Sequence, residues 1–389
     1  MKVFNTLCVL GSIFFCERIL NLKQFKNRKV IWILGLFSIH IFLVQSSGLT
    51  EPLAALFLSA GIYLYLKNHF YYGLIILSFL PFIRSEGWVM LCVAIVMLLY
   101  QKRFRLLPFV TFGTVVYGII GQFYYHDFLW MFHQNPYSGV ELKYGSGDLF
   151  HFANQMPYLL GWPTLILLIF GLFASSVAFV KSKYTISSYQ FLVVGMFFAM
   201  LVSHSIFWHQ GWFHSFGMKR VLLAVFPCML LLAIDGFHFI TNGIKPLFYR
   251  RLSIAALIIL ITIFPFTPNK AAFVFPYEFE KDSSQEVAIK AVDWYRNHVT
   301  DPSVVSFGNY YFAELLQVDI DDTKEVMLHD AIKKKSLPSG SIVFWDNYFS
   351  VTDMGVTQED FTPSEYTLLH SETVSKRNRT SVVHIYKKK

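Results

Sequence analysis

Apolar residues run in ten stretches between Val3 and Phe266, separated by short polar segments: Val3–Leu20, Val30–Gln45, Leu53–Leu66, Phe70–Ile83, Trp88–Tyr100, Leu106–Tyr124, Tyr158–Val180, Tyr189–Ile206, Val221–Ile240 and Leu252–Phe266. A hydrocarbon core about 30 Å thick takes roughly 20 helical residues, fewer where neighbours thin the bilayer or bury the ends. The pattern therefore predicts an all-α polytopic bundle of about ten transmembrane helices. If two short stretches pair as a re-entrant hairpin, the count changes by one.

After Pro265 and Pro268 charged residues return at globular frequency and the apolar runs shorten. The chain divides into a transmembrane domain over residues 1–268 and a small soluble α/β domain over 281–389. In the second, Ser284–His298 and Tyr310–Gln317 read as helices, and Ser303–Phe307, Ser341–Trp345, Tyr366–Ser371 and Ser381–Tyr386 as strands. Between the spans, Asp127–Pro157 is long and rich in His, Tyr, Asn and Gly, and is expected to carry a short surface helix.

Charge orients the bundle. One alternate set of loops holds Lys23, Lys26, Arg28, Lys29, Lys67, Lys102, Arg103, Arg105, Lys181, Lys183, Lys245, Arg250 and Arg251; the opposite set holds only Arg84, Lys143, Lys219 and Arg220, with Glu51, Glu86, Asp127, Glu141 and Asp148. Cytoplasmic loops carry the excess of Lys and Arg, so the first set is inside. Met1 and the C-terminal domain are then both external. Met1-Lys2-Val3 has no signal-peptide n-region, so a preceding span is expected.

The chain is 54% hydrophobic, 18% aromatic and 15% charged, a membrane-protein composition with a modest soluble part. Its net charge of +8 is explained by the inward loops, so no nucleic-acid partner is expected. Cys8, Cys16, Cys92 and Cys228 all fall in predicted spans, which argues against a disulfide framework or a cysteine metal site. The sequon at Asn378 is a short, common match of little weight. The chain has no Walker A loop, Gly-x-Ser-x-Gly elbow or His-Glu-x-x-His helix.

Chemistry concentrates on the outer side. The arms of the hairpin Phe70–Tyr100 have about 14 residues, roughly 21 Å each, so its turn sits below the membrane surface. Arg84 and Glu86 in that turn are site candidates, or alternatively a structural ion pair. Glu51 precedes Pro52 at a helix start, where it is either a cavity-lining acid or a simple helix cap. Lys219 and Arg220 break the positive-inside pattern at the mouth of a span. They suit a lipid phosphate, or ordinary interfacial anchoring. His209 and His214 are proton-carrier or metal-ligand candidates, or polar surface histidines.

Three motifs in order, Ser47-Gly48-Leu49-Thr50-Glu51-Pro52, Ile83-Arg84-Ser85-Glu86-Gly87 and Lys219-Arg220-Val221-Leu222-Leu223, are followed by an exported tail with Ala291-Val292-Asp293-Trp294-Tyr295-Arg296 and Phe344-Trp345-Asp346. Over nearly its whole length the chain resembles the GT-C fold membrane glycosyltransferases that use polyprenyl-phosphate sugars, the group of dolichyl-phosphate-mannose mannosyltransferases and bacterial aminoarabinose transferases. The resemblance implies a hexosyltransferase-type enzyme of the bacterial cytoplasmic (inner) membrane. Its implied partners are a polyprenyl-phosphate-linked sugar donor, a glycan, lipid or protein acceptor, and the bilayer. The family's first outer loop supplies an acidic residue thought to serve as base. This chain starts at the span after that loop, so Met1 departs from the family pattern.

Inverting transfer from a lipid phosphate needs a base for the acceptor hydroxyl and cations for the leaving phosphate. Glu51, Glu86 and His209 are the candidates for the first; Arg84, Lys219 and Arg220 for the second. No cofactor is certain, and a divalent metal is left open. The competing expectations are a glycolipid flippase or exporter, and an inactive remnant of the glycosyltransferase.

Overall fold

The structure is a computed structural model describing residues 2–38, 49–134, 145–267, 281–300, 304–320, 322, 326–328, 330–376 and 379–389. It separates into two compact units, 1–278 and 279–389.

The first unit is helical. Helix α1 (Lys2–Leu22) is followed by α2 (Val30–Leu36), α3 (Glu51–Leu66), α4 (Phe70–Leu77), α5 (Leu80–Ile83) and α6 (Gly87–Tyr100). A 3-10 segment, Phe104–Thr111, runs into α7 (Phe112–Tyr125); α8 (Trp130–His133), α9 (His151–Leu160) and α10 (Trp162–Lys181) come next. A π turn at Gln190–Gly195 opens α11 (Met196–Gln210), a 3-10 segment at Lys219–Val225 opens α12 (Phe226–Gly243), and α13 (Leu247–Ile263) closes the unit.

Six of these helical stretches are long and apolar enough to cross a membrane: Lys2–Leu22, Phe104–Tyr125, Trp162–Lys181, Gln190–Gln210, Lys219–Gly243 and Leu247–Phe266. The expected count of ten is not reached on that measure. Glu51–Leu66, Phe70–Ile83 and Gly87–Tyr100 are shorter apolar helices, and the expected span Val30–Gln45 runs into residues 39–48, which lie outside the described ones. Phe70–Ile83 is interrupted after Leu77, and Pro81 opens the short α5 that carries the chain to Arg84.

The expected span Tyr158–Val180 starts later, at Trp162. Gly161 takes φ +78°, which ends α9, and Pro163 restarts the helix in the first turn of α10. Tyr158 thus belongs to α9, the helix expected in the outer segment. Its Phe152, Met156, Leu159 and Leu160 are buried, a one-sided stripe at helical spacing.

The middle of the bundle is α12. Every residue from Leu222 to Ile234 is buried, so this helix is apolar all round because protein surrounds it. By contrast α13 buries only Ile261, with Leu252, Ile259, Leu260 and Ile263 exposed, as a helix facing lipid does. Apolar exposure on that scale is compatible with a helix that faces hydrocarbon.

The second unit holds α14 (Ser283–His298), β1 (Val305–Phe307), α15 (Tyr311–Leu316), β2 (Val326–Leu328), α16 (Asp330–Lys333), β3 (Ile342–Asp346), α17 (Phe349–Thr352), β4 (Tyr366–Lys376) and β5 (Arg379–Lys388). Asp282 and Gln285 form a capping box at the start of α14. The sheet order is β2-β1-β3-β5-β4, with β1 parallel to β2 and β3, and β5 antiparallel to β3 and β4. The helices and strands read from the sequence are present. The β4–β5 hairpin is longer than expected, and β2 and α16 were not foreseen: three residues of β-structure carry too little pattern to read. Ser303, Pro268 and the sequon at Asn378 lie outside the described residues.

Candidate functional site

Four separate elements bring charge together at one end of the bundle. Glu51 is the first residue of α3, with Pro52 behind it in the first turn. Arg84 ends α5 in an extended conformation, and two residues later Glu86 precedes α6. Arg220 sits in the 3-10 segment before α12. His204, in the middle of α11, is buried.

Arg84 is the hub. Its Nη2 donates to Glu86 Oε1 at 2.7 Å, its Nη1 lies 2.8 Å from Glu51 Oε1, and the same Nη1 reaches Thr50 Oγ1 at 3.4 Å. Arg220 Nε approaches the same oxygen, Glu51 Oε1, at 3.8 Å. His204 Nε2 stands 3.9 Å from Glu86 Oε1, with its ring against Phe152.

The two carboxylates are held differently. Glu86 accepts an aligned hydrogen bond, whereas Glu51, only 1% exposed, has no hydrogen-bond partner for either oxygen among the described residues; its contacts with the two arginines are ionic without alignment. A buried carboxylate without hydrogen bonds is costly, and only the adjacent cations make it tolerable. Glu51 also lines a small, mostly apolar cavity with Ser12, Pro52, Ala55, Leu223 and Phe226, with room for about one water. Asn5 of α1 donates to Leu49 O, which pins the approach to Glu51.

Thus Glu51, Arg84, Glu86 and Arg220, 169 positions apart at the extremes, meet in the folded chain. His204 joins them unforeseen. Its signal in the sequence is that of an ionisable residue inside an apolar span. His209 goes elsewhere: its Nδ1 is 3.0 Å from Gly147 O, and the residue is exposed. The side chain of His214 lies outside the described residues. Lys219 holds its ammonium 5.5 Å over the ring of Tyr158. Among the described residues no group of three His, Cys, Asp or Glu side chains is arranged to hold a metal ion.

A second polar group marks the other end of the bundle. Lys23 Nζ meets Asp235 Oδ1 at 2.8 Å, and Tyr189 OH donates to Asp235 Oδ2 at 2.8 Å. From Asn5, beside the first group, to Lys23 is about 27 Å along α1 at 1.5 Å per residue. Tyr65, Gln101, Arg103 and Ser188 form another hydrogen-bonded set, at helix ends joined to the Lys- and Arg-rich loops. Loops assigned to opposite sides by charge therefore meet at opposite ends of the helices.

No known family model, curated protein or solved structure matches the chain. What the site does is therefore argued from its own chemistry: two guanidiniums converging on one buried carboxylate, with a second carboxylate and an imidazole behind them.

Proposed function

We propose that the chain is an integral membrane glycosyltransferase that moves a sugar from a polyprenyl-phosphate donor to an acceptor on the outer face of the bacterial cytoplasmic membrane. The observation that carries this reading is the convergence of Arg84 and Arg220 on Glu51, at the end of the bundle away from the Lys- and Arg-rich loops. Guanidinium forks match phosphate oxygens in bidentate geometry. The order of the motifs in the sequence, similar to that of the GT-C enzymes, supplies the sugar and the lipid.

In the reaction the acceptor oxygen bonds to the anomeric carbon while the bond from that carbon to the phosphate oxygen breaks. The electron pair leaves on the phosphate, and the acceptor proton passes to a carboxylate. A diester phosphate of one negative charge becomes a monoester of up to two, so cations fixed beside it bind the products' charge more strongly than the donor's. Arg84 and Arg220 supply that charge. Glu51 is the base in this scheme, because it is the carboxylate whose oxygens are not engaged in hydrogen bonds. Glu86 holds Arg84 from behind, and His204 stands 3.9 Å from the same Glu86 oxygen.

The exporter reading requires charges threaded through the spans. Glu51, Arg84, Glu86 and Arg220 instead stand at the starts and ends of their helices, which favours an enzyme. The test is transfer from a polyprenyl-phosphate sugar by membranes containing the protein. Arg220→Ala is expected to slow transfer about a hundredfold, within the range found for removing one charge-stabilising donor. Unchanged transfer in that variant would remove Arg220 from the phosphate site, and no transfer by the intact protein would sink the reading.

A further inference from the structure

We propose that Glu51 is an internal competitor of the donor phosphate: its carboxylate holds the position shared by Arg84 and Arg220, a phosphate displaces it, and the displaced carboxylate becomes the base. This deepens the reading above and rests on it for the identity of the phosphate.

Both guanidiniums approach one oxygen, Glu51 Oε1, at 2.8 and 3.8 Å. Neither approach is an aligned hydrogen bond, and Oε2 has no hydrogen-bond partner among the described residues. Glu51 is therefore held by charge and burial alone. Arg84 keeps a separate, aligned bond to Glu86 at 2.7 Å, so losing Glu51 does not leave this arginine without a counter-ion. A phosphate offers several oxygens in the geometry that guanidinium forks prefer, and so gains hydrogen bonds that Glu51 does not make. The anion exchange keeps the local charge nearly constant, which matters where desolvation makes any uncompensated charge expensive.

The exchange also orders the chemistry. While Glu51 Oε1 faces both arginines it is occupied by their charge. Moved off them by the phosphate, the carboxylate is free to meet the acceptor hydroxyl only when the donor is in place. The small cavity beside Ser12 and Leu223 adjoins the carboxylate and gives it room to turn. The proton gained by Glu51 is the one lost by the acceptor hydroxyl, and no other co-reactant is needed.

The experiment measures binding separately from transfer. Full-length protein in detergent or nanodiscs is titrated with a polyprenyl phosphate and, in parallel, with inorganic phosphate, for wild type, Glu51→Gln and Glu51→Asp. Removing the competing charge, or withdrawing it by one methylene, should tighten polyprenyl phosphate binding about tenfold. Transfer should fall at least a hundredfold in Glu51→Gln, as for loss of a general base. In an Arg220→Gln background the gain from Glu51→Gln should shrink severalfold, since the competitor and the phosphate share that arginine. Equal tightening with inorganic phosphate assigns the site to the phosphate group alone; tightening confined to the lipid adds a contribution from the polyprenyl chain.

Weaker or unchanged binding in both Glu51 variants overturns the displacement, even if the wild type still binds and transfers. Absence of polyprenyl phosphate binding by the active wild type would instead overturn the functional reading. The shorter Glu51→Asp keeps the buried charge and guards against a Gln variant that fails to fold.

Discussion

Lys23 and Asp235, 212 positions apart, form an ion pair at 2.8 Å that ties the end of α1 to α12. The Tyr189 hydroxyl completes it from the π turn before α11, and the Lys23 ammonium lies 3.6 Å over the Tyr189 ring. Three elements are thus clamped at the end of the bundle remote from Arg84. Asp235→Ala leaves a partly buried cation and a hydroxyl without their acceptor, and should destabilise the protein by about 1–3 kcal/mol. Thermal unfolding in detergent should show the loss, and Lys23→Met in the same chain should recover part of it. Binding of polyprenyl phosphate, at the other end, should not change.

The orientation is testable directly. If the Lys- and Arg-rich loops are cytoplasmic, alkaline phosphatase fused after Lys389 should be active outside and a fluorescent protein there dark. A fusion in the loop at Lys181–Lys183 should give the opposite pair. Activity only in the cytosol for the Lys389 fusion would reverse the site's side of the membrane.

Gly171 of α10 and Gly236 of α12 let the two backbones meet. A Cβ at Gly171 would overlap the Leu232 carbonyl, and one at Gly236 the Leu167 carbonyl. In a bilayer, helices associate through such close packing rather than through a hydrophobic force between them. Gly171→Ala or Gly236→Ala must therefore push the helices apart, at a cost of about 1–3 kcal/mol each. Because the two residues share one crossing, the double variant should cost less than the sum. The check is the melting temperature of each purified variant.

In the second unit, Asp346 ends β3 and is buried. It accepts from the backbone N–H groups of Tyr348, Phe349 and Ser350 and from the Ser350 hydroxyl. Burial pushes its carboxyl above the usual Asp range despite those bonds. Between the ordinary value, about 4, and the raised one, the folded chain keeps a proton that the unfolded chain has released. This group's contribution to stability therefore falls as pH rises through that window. Asp346→Asn should flatten that part of the pH profile, read by fluorescence of the domain's tryptophans, and Asp346→Ala should cost about 1–3 kcal/mol. An unaltered profile in Asp346→Asn would assign the pH dependence to other carboxyls.

Helix and strand positions were legible where the pattern is long. The apolar run Val221–Ile240 lies within three residues of the helical stretch Lys219–Gly243 and the amphipathic Ser284–His298 within one of Ser283–His298, because burial of a stripe or of a whole cylinder imposes a period on the chain. The break at Gly161 and the three-residue strand Val326–Leu328 were not, since one glycine or three residues fix no period. Glu51, Arg84, Glu86 and Arg220 could be nominated singly, as charges beside apolar runs are expensive wherever they occur.

By itself the sequence determined that most of this chain is apolar helix and that its composition changes where the second unit begins, because transfer free energy is a property of local composition. Only the tertiary structure decided that Arg84 bonds Glu86 while both it and Arg220 face Glu51, that His204 stands behind them, and that His209 does not. Those contacts join segments distant along the chain, and the packing of α3, α6, α11 and α12 around one another is what sets the few ångströms on which the electrostatics depend.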